Sequence, residues 1–139
     1  IKHDKGLLKD AVYVGTSVAG AFVVTYGMKY LVDRERPYDK YPDRVHAYSH
    51  EGSPSFPSGH TAAAFMAATL LYKEYGFKGY WVGLVAYAAA IVTGFTRILN
   101  NRHWLFDVII GAALGILLTD LAFRLVQLIF KDRGLIQHK

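Results

Sequence analysis

The 139-residue sequence contains no cysteine, which excludes disulfide cross-links, thiolate metal sites and a cysteine nucleophile. Proline is scarce, and its four copies (Pro37, Pro42, Pro54 and Pro57) all fall between residues 37 and 57. Internal repeats and low-complexity tracts are missing. No cleavable leader can be read at the start, where Lys2, His3, Asp4 and Lys5 lead into no apolar stretch ending in a small-residue site. The first residue is Ile1 rather than Met, so a fragment or a processed product is expected. Acidic residues are outnumbered, 11 against 16 Lys and Arg, giving a net charge of +5 and a pI near 9.4. That balance suits an anionic partner such as nucleic acid, anionic lipid or a phosphate substrate. Nucleic acid is disfavoured, because 53% of the residues are hydrophobic and the basic ones sit at the ends of apolar runs instead of in one patch.

What fills the chain is four apolar stretches. Ala11 to Met28 and Tyr80 to Thr96 carry no charge; Thr61 to Tyr72 is short and rich in alanine; Leu105 to Phe130 is interrupted by Asp107, Asp120 and Arg124. All are too long for strands and rich in Ala and Leu, so the spacing predicts four helices and an all-α fold, a helical bundle with a four-helix core. The whole chain, 1–139, is expected to form one domain. The proline-bearing stretch, Pro37 to Pro57, reads as a long loop, functional or disordered, and Gly76 to Gly79 as a tight turn.

An apolar run of about eighteen residues reaches about 27 Å as a helix, close to the hydrocarbon thickness of a bilayer. The first and third stretches meet that length, the fourth meets it with tilt, and the second falls short unless Lys73 snorkels. In a zigzag of four helices, Lys2, Lys5, Lys9, Lys73, Lys78, Lys131, Arg133 and Lys139 share one side, the bias of a cytoplasmic face. A membrane-embedded bundle is therefore expected, with a soluble all-helical protein of well-buried helices as the alternative.

Three segments meet on the other side. Lys29 and Arg36 lie seven apart, on one face if the first helix persists to Arg36. Pro57, Ser58, Gly59 and His60 open the second helix: Ser58 suits an N-cap, Gly59 admits a close ligand, and free N–H groups favour an anion. Arg97, His103 and Asp107 bracket the start of the fourth helix, with His103 and Asp107 four apart on one face. Taken singly, these are a solvated pair of cations, a cap and a surface ion pair. Their combination, in this order and at these spacings, is hard to dismiss.

With Lys29, Arg36-Pro37, Pro57-Ser58-Gly59-His60, Arg97, His103 and Asp107, the sequence resembles the type 2 phosphatidic acid phosphatase superfamily, which joins lipid phosphate phosphatases, soluble bacterial acid phosphatases and vanadium haloperoxidases. Thr96 stands where that family usually has Ser, keeping a hydroxyl. The resemblance covers residues 29 to 107 and implies a metal-independent phosphatase, with no cofactor, acting on a lipid phosphomonoester or pyrophosphate. It implies that His103 is the nucleophile and forms a phosphohistidine, that Asp107 fixes its tautomer, and that His60 is the general acid and then base. Lys29, Arg36, Ser58, Gly59 and Arg97 would bind the phosphate. Membrane members of the family commonly carry two further spans upstream. The implied setting is a bacterial inner membrane with the site on the periplasmic side. The alternatives are a soluble periplasmic acid phosphatase and a membrane protein of the same fold without activity.

His46 and His50 have the four-residue spacing of two zinc ligands on one helix face, but they fall in the loop, so they are expected at the pocket mouth or exposed instead of on a metal. Arg34 and Arg44 could help hold an acidic head group; exposure to solvent is the safer expectation.

Overall fold

The computed structural model describes residues 2–131. Its regular structure is helical throughout: α1 (Lys2–Val32), α2 (Pro37–Lys40), α3 (Gly59–Tyr75), α4 (Tyr80–Leu99) and α5 (Leu105–Lys131), with a 3₁₀ turn, Gly76–Lys78, between α3 and α4. The four long helices coincide with the four apolar stretches, and the fold is all-α as expected. α1 begins well before its apolar run because Lys9 and Asp10 do not oppose helix formation. α2 is an unforeseen single turn inside the loop, started by Pro37 at its first position.

Helix ends follow local chemistry. α1 stops after Val32, where Asp33 adopts a left-handed φ of 48°. Arg36, preceding a proline, is extended at φ −77° and ψ 157°. Lys29 and Arg36 therefore do not share a helical face, contrary to expectation, and meet only because the chain turns back. Ser58 caps α3 by accepting the Thr61 N–H at 3.4 Å. At the end of α4, Asn101 turns left-handed (φ 57°), and the N–H groups of Arg102 and His103 both close on the Arg97 carbonyl at 3.1 and 3.3 Å. This C-terminal closure carries His103 back beside Arg97. The Asp107 carboxylate then accepts the Trp104 N–H at 2.8 Å, satisfying a free donor at the start of α5.

α3 is the hub, packed against α1, α4 and α5. Two glycines of α5 let it come close. A Cβ on Gly111 would lie 2.6 Å from the Ser58 carbonyl oxygen, and one on Gly115 would collide with the Ala62 carbonyl. Small residues at such crossings allow backbone approach where lipid supplies no hydrophobic drive. At the far end of the bundle Tyr13 of α1 stacks on Phe123 of α5 at 4.1 Å.

Three stretches are long and apolar enough to cross a membrane: Leu7–Lys40, Tyr80–Leu99 and Leu105–Ile129. Only 17%, 22% and 28% of their apolar windows are buried within the protein. Most of that surface, including Leu84, Val85, Ile91, Leu117 and Leu128, faces outward, as a bilayer requires and water penalises. α3 is not among the three, in line with its shortness. Of the basic residues assigned to the far side, Arg133 and Lys139 lie outside the described residues, as do the side chains of Lys2, Lys5 and Lys131.

Candidate active site

The C-terminal ends of α1 and α4 and the N-terminal ends of α3 and α5 meet at one end of the bundle, under the segment 41–57. Arg36 is the centre of this junction and is 1% exposed. Its Nε donates to the Ser53 carbonyl at 2.9 Å and its Nη1 to the Arg102 carbonyl at 2.9 Å; Nη1 also lies 3.3 Å from His103 Nε2. Lys29 donates its Nζ to the Pro54 carbonyl at 2.7 Å, and Arg36 Nη2 reaches the same carbonyl at 3.4 Å. The Lys29 stem passes beside Gly59, where a Cβ would touch it at 3.9 Å. Lys29, Arg36 and the α3 N-terminus thus converge on one point.

His103 is buried between Arg36 and Asp107. Its Nε2 faces the Arg36 guanidinium, and its Nδ1 lies 3.6 Å from Asp107 Oδ2, an ion-pair distance outside hydrogen-bond reach. Asp107, fully buried, accepts from Arg34 Nη1 at 3.0 Å, from the Ser55 hydroxyl and from the Trp104 N–H. The expected His103–Asp107 pairing is therefore present as a contact, while Ser55, Arg34 and Trp104 supply the carboxylate's hydrogen bonds. Arg34 is half-buried on Asp107 and over the Trp104 ring at 5.4 Å, which corrects the expectation that it is merely solvated. Arg44 is exposed, as expected.

Ser58 is buried, and its hydroxyl is 2.8 Å from Thr61 Oγ1, so the structure uses it first as a cap. Its N–H donates to the Asp107 carbonyl at 3.0 Å, tying the start of α3 to the start of α5. His60 is exposed and lines an apolar cavity of about 310 Å³ between α1 and α3, with Thr25 and Met66. Thr96 points outward and its hydroxyl returns to the Thr93 carbonyl at 2.7 Å, away from the site. His46 and His50 are both exposed, with the His50 ring 4.3 Å from that of Tyr38. Among the described residues no group of three or more His, Asp or Glu side chains is placed to hold a metal ion.

Glu51 and Arg102 belong to the site and were not expected there. The Glu51 carboxylate pairs with Arg36 Nη2 at 2.8 Å, with Arg97 Nη2, and with Arg102 Nη1 at 3.5 Å. Arg102 also donates to the Ser49 hydroxyl at 2.5 Å. The buried Nε atoms of Arg97 and Arg102 and the Nδ1 of His103 have no partner, leaving donors free for a further acceptor.

Burial pushes the His103 imidazolium below the usual histidine range; the Asp107 carboxylate works the other way, and Arg36 adds to the depression. His60, although exposed, is lowered as well, by partial desolvation first and then by Arg97. For Glu51, burial would raise the carboxyl, but Arg36 and Arg97 outweigh it and hold it below the usual range. A neutral, buried imidazole with its Nε2 against a guanidinium, and further cations alongside, can attack an oxyanion-bearing centre and neutralise its charge.

Residues 10–131 match the model of the PAP2 superfamily. The lipid A 1-phosphatase of Porphyromonas gingivalis is 51% identical over 78 residues, covering 56% of this chain and 18% of that protein. The crystal structure of Aquifex aeolicus LpxE superposes with a TM-score of 0.75 at 25% identity, over 83% of this chain and 67% of the other. A transmembrane PAP2-type phosphatidylglycerolphosphate phosphatase from Bacillus subtilis superposes with a TM-score of 0.67 at 28% identity, over 89% of this chain and 60% of the other.

Proposed function

The chain belongs to the PAP2 superfamily, and on that premise we propose that it carries the catalytic site of a membrane phosphatase. Its substrates are lipid phosphomonoesters or pyrophosphates, hydrolysed through a phosphohistidine. The observation that carries this reading is the unbroken line of contacts Arg36–His103–Asp107, flanked by Lys29 and Arg97.

His103 Nε2 attacks phosphorus, forming the N–P bond as the bond to the leaving oxygen breaks. The proton on Nδ1 faces Asp107, which holds the tautomer and balances the imidazolium that develops. Lys29, Arg36 and Arg97 neutralise the equatorial oxygens, with the Gly59 N–H at the start of α3 as a further donor. His60 gives its proton to the leaving oxygen, then takes one from water as that water displaces His103 and releases phosphate. His60 is open to the membrane-side cavity between α1 and α3, the direction from which a lipid leaving group would come. The bias of Lys and Arg in the sequence toward the opposite helix ends supports a site on the extracytoplasmic face, the periplasm in a bacterium with two membranes.

Relatives named as lipid A 1-phosphatases make a phosphorylated glycolipid the first substrate to test. The chain spans 18%, 53% and 40% of the lengths of three such relatives, so selectivity among head groups also depends on what those proteins carry beyond this region. A soluble acid phosphatase with the same residues fits less well, because the outward faces of α1, α4 and α5 are apolar along their length.

Purified protein in detergent, with a chelator present, is expected to release phosphate from at least one of lipid A phosphate, phosphatidic acid, phosphatidylglycerophosphate and an isoprenyl pyrophosphate. His103→Ala should lower turnover by about four orders of magnitude or more while still binding orthovanadate. A variant that keeps activity moves the nucleophile elsewhere; release only on addition of a divalent ion overturns the reading.

A further inference from the structure

Glu51 occupies an unusual position for a carboxylate in a site built for anions. One of its oxygens pairs with Arg36 and the other with Arg97 and Arg102. A carboxylate bridging guanidinium forks in this way presents two oxygens where a phosphoryl group would present its own. We propose that Glu51 is an internal competitor for the phosphate site, holding its arginines in place between turnovers and rotating out when a phosphate dianion enters. The inference rests on the phosphate-site reading above.

Three features favour displacement of the side chain over a fixed structural ion pair. The Glu51 backbone is anchored independently of its carboxylate: its N–H donates to the hydroxyl of buried Tyr38 at 2.8 Å, and that hydroxyl reaches its carbonyl at 3.4 Å. The side chain can therefore leave the arginines without moving the loop. It also has somewhere to go, since Glu51 lines an open cavity of about 430 Å³ with Asp39, Gly52 and Ser53. Finally, its pairing is incomplete. The buried Nε atoms of Arg97 and Arg102 remain without acceptors, whereas a phosphate with three free oxygens could use both.

The benefit of such an occupant is that buried guanidinium groups are not left unpaired, a condition that strongly destabilises a protein. Its cost is apparent affinity: a ligand that binds only when the competitor is absent is weakened by the fraction of time the site is free. If Glu51 occupies the arginines about nine-tenths of the time, its removal tightens anion binding about tenfold. Arg102 belongs to this inference as a further phosphate ligand, outside the three cations the sequence pattern identifies.

The test compares wild type with Glu51→Gln and Glu51→Ala in detergent, measuring orthovanadate and inorganic phosphate dissociation constants and the melting temperature with and without phosphate. Both variants should bind the anions about tenfold more tightly and melt lower without phosphate. Saturating phosphate should raise their melting temperatures more than that of wild type. Asp39→Asn, which removes a charge from the same cavity but pairs with none of these arginines, should change the constants less than twofold, separating displacement from general electrostatics. Equal or weaker binding in both Glu51 variants overturns the inference, as does a matching gain in Asp39→Asn. If wild type and the Glu51 variants alike bind neither anion, the phosphate-site reading itself falls.

Discussion

Asp107 and Asp120 stand on the same helix, both beside cationic side chains, yet they occupy different kinds of place. Asp107 is fully buried and receives hydrogen bonds from Arg34, Ser55 and the Trp104 backbone, with His103 in contact. Asp120 keeps 34% of its side chain exposed and pairs with Lys73 at 2.6 Å and with Arg124, one turn along its own helix, at 2.7 Å. The first carboxylate joins segments 73 and 52 residues away, Arg34 and Ser55; the second secures α3 to α5 at the opposite end. A buried carboxylate is tolerated only when its neighbours satisfy it. Those neighbours also fix the carboxylate where it lies against His103.

The largest expected contrast comes from neutralising each carboxylate with little change of shape. Asp107→Asn leaves Arg34 without its buried partner and His103 without the charge proposed to fix its tautomer, so kcat should fall by about 10²- to 10⁴-fold. Loss of stability, of about 3–5 kcal/mol, should accompany it. An Asp107→Asn variant with near-normal kcat would erase the distinction between the two ends. Next in size is Gly111→Ala. The added methyl presses on the Ser58 carbonyl, and overpacking of this kind costs about 1–3 kcal/mol. Because Ser58 and Asp107 are joined backbone to backbone, turnover should drop by about 10²-fold, as misplacement by about 1 Å can cause. An unchanged melting temperature and rate would show that the α3–α5 crossing does not set the site.

The site end should also carry the pH response. In the proposed mechanism His103 is neutral when it attacks and His60 protonated when it donates, so the rate should rise as pH climbs through the first value and fall as it passes the second. Both are depressed by desolvation below about 6.5, the ordinary histidine value. The kcat/KM profile of the wild type should thus be bell-shaped with its maximum on the acidic side of that value. A maximum above about pH 8, or a flat profile, would reassign the acid and base. Smallest of all should be the effect of Asp120→Asn on chemistry: kcat and KM within about twofold of wild type, because rim ion pairs contribute little, with a lower melting temperature as its only clear change. A large fall in kcat would mean that the two ends are coupled through α5.

Much of this molecule is legible in its sequence because the relevant order is local. The four apolar runs locate the four long helices, and Lys29, Ser58, Arg97 and Asp107 lie at their ends, where up-down topology brings them together. Arg36 reaches the site by another route than the one expected, since Asp33 ends α1 before a shared face can form. Glu51 and Ser55 were not legible as site residues, and Arg34, a candidate head-group ligand, reads more readily as solvated. They sit in segments without periodicity, and the helix-end partners they reach, Arg97 from Glu51 and Asp107 from Ser55 and Arg34, are 46 to 73 residues away. Arg102 was hidden for a different reason. Beside a histidine at a helix boundary it looks like one more solvated cation, and only the return of the chain onto Arg97 turns it toward Glu51.

The two cations nearest the start of the loop are oriented by main-chain oxygens: Lys29 by that of Pro54, and Arg36 by those of Ser53, Pro54 and Arg102. Every amino acid carries the same carbonyl, so these restraints survive changes of side chain along the segment as long as its path is kept. The outward side chains of the loop can therefore vary while the main chain continues to aim these two cations.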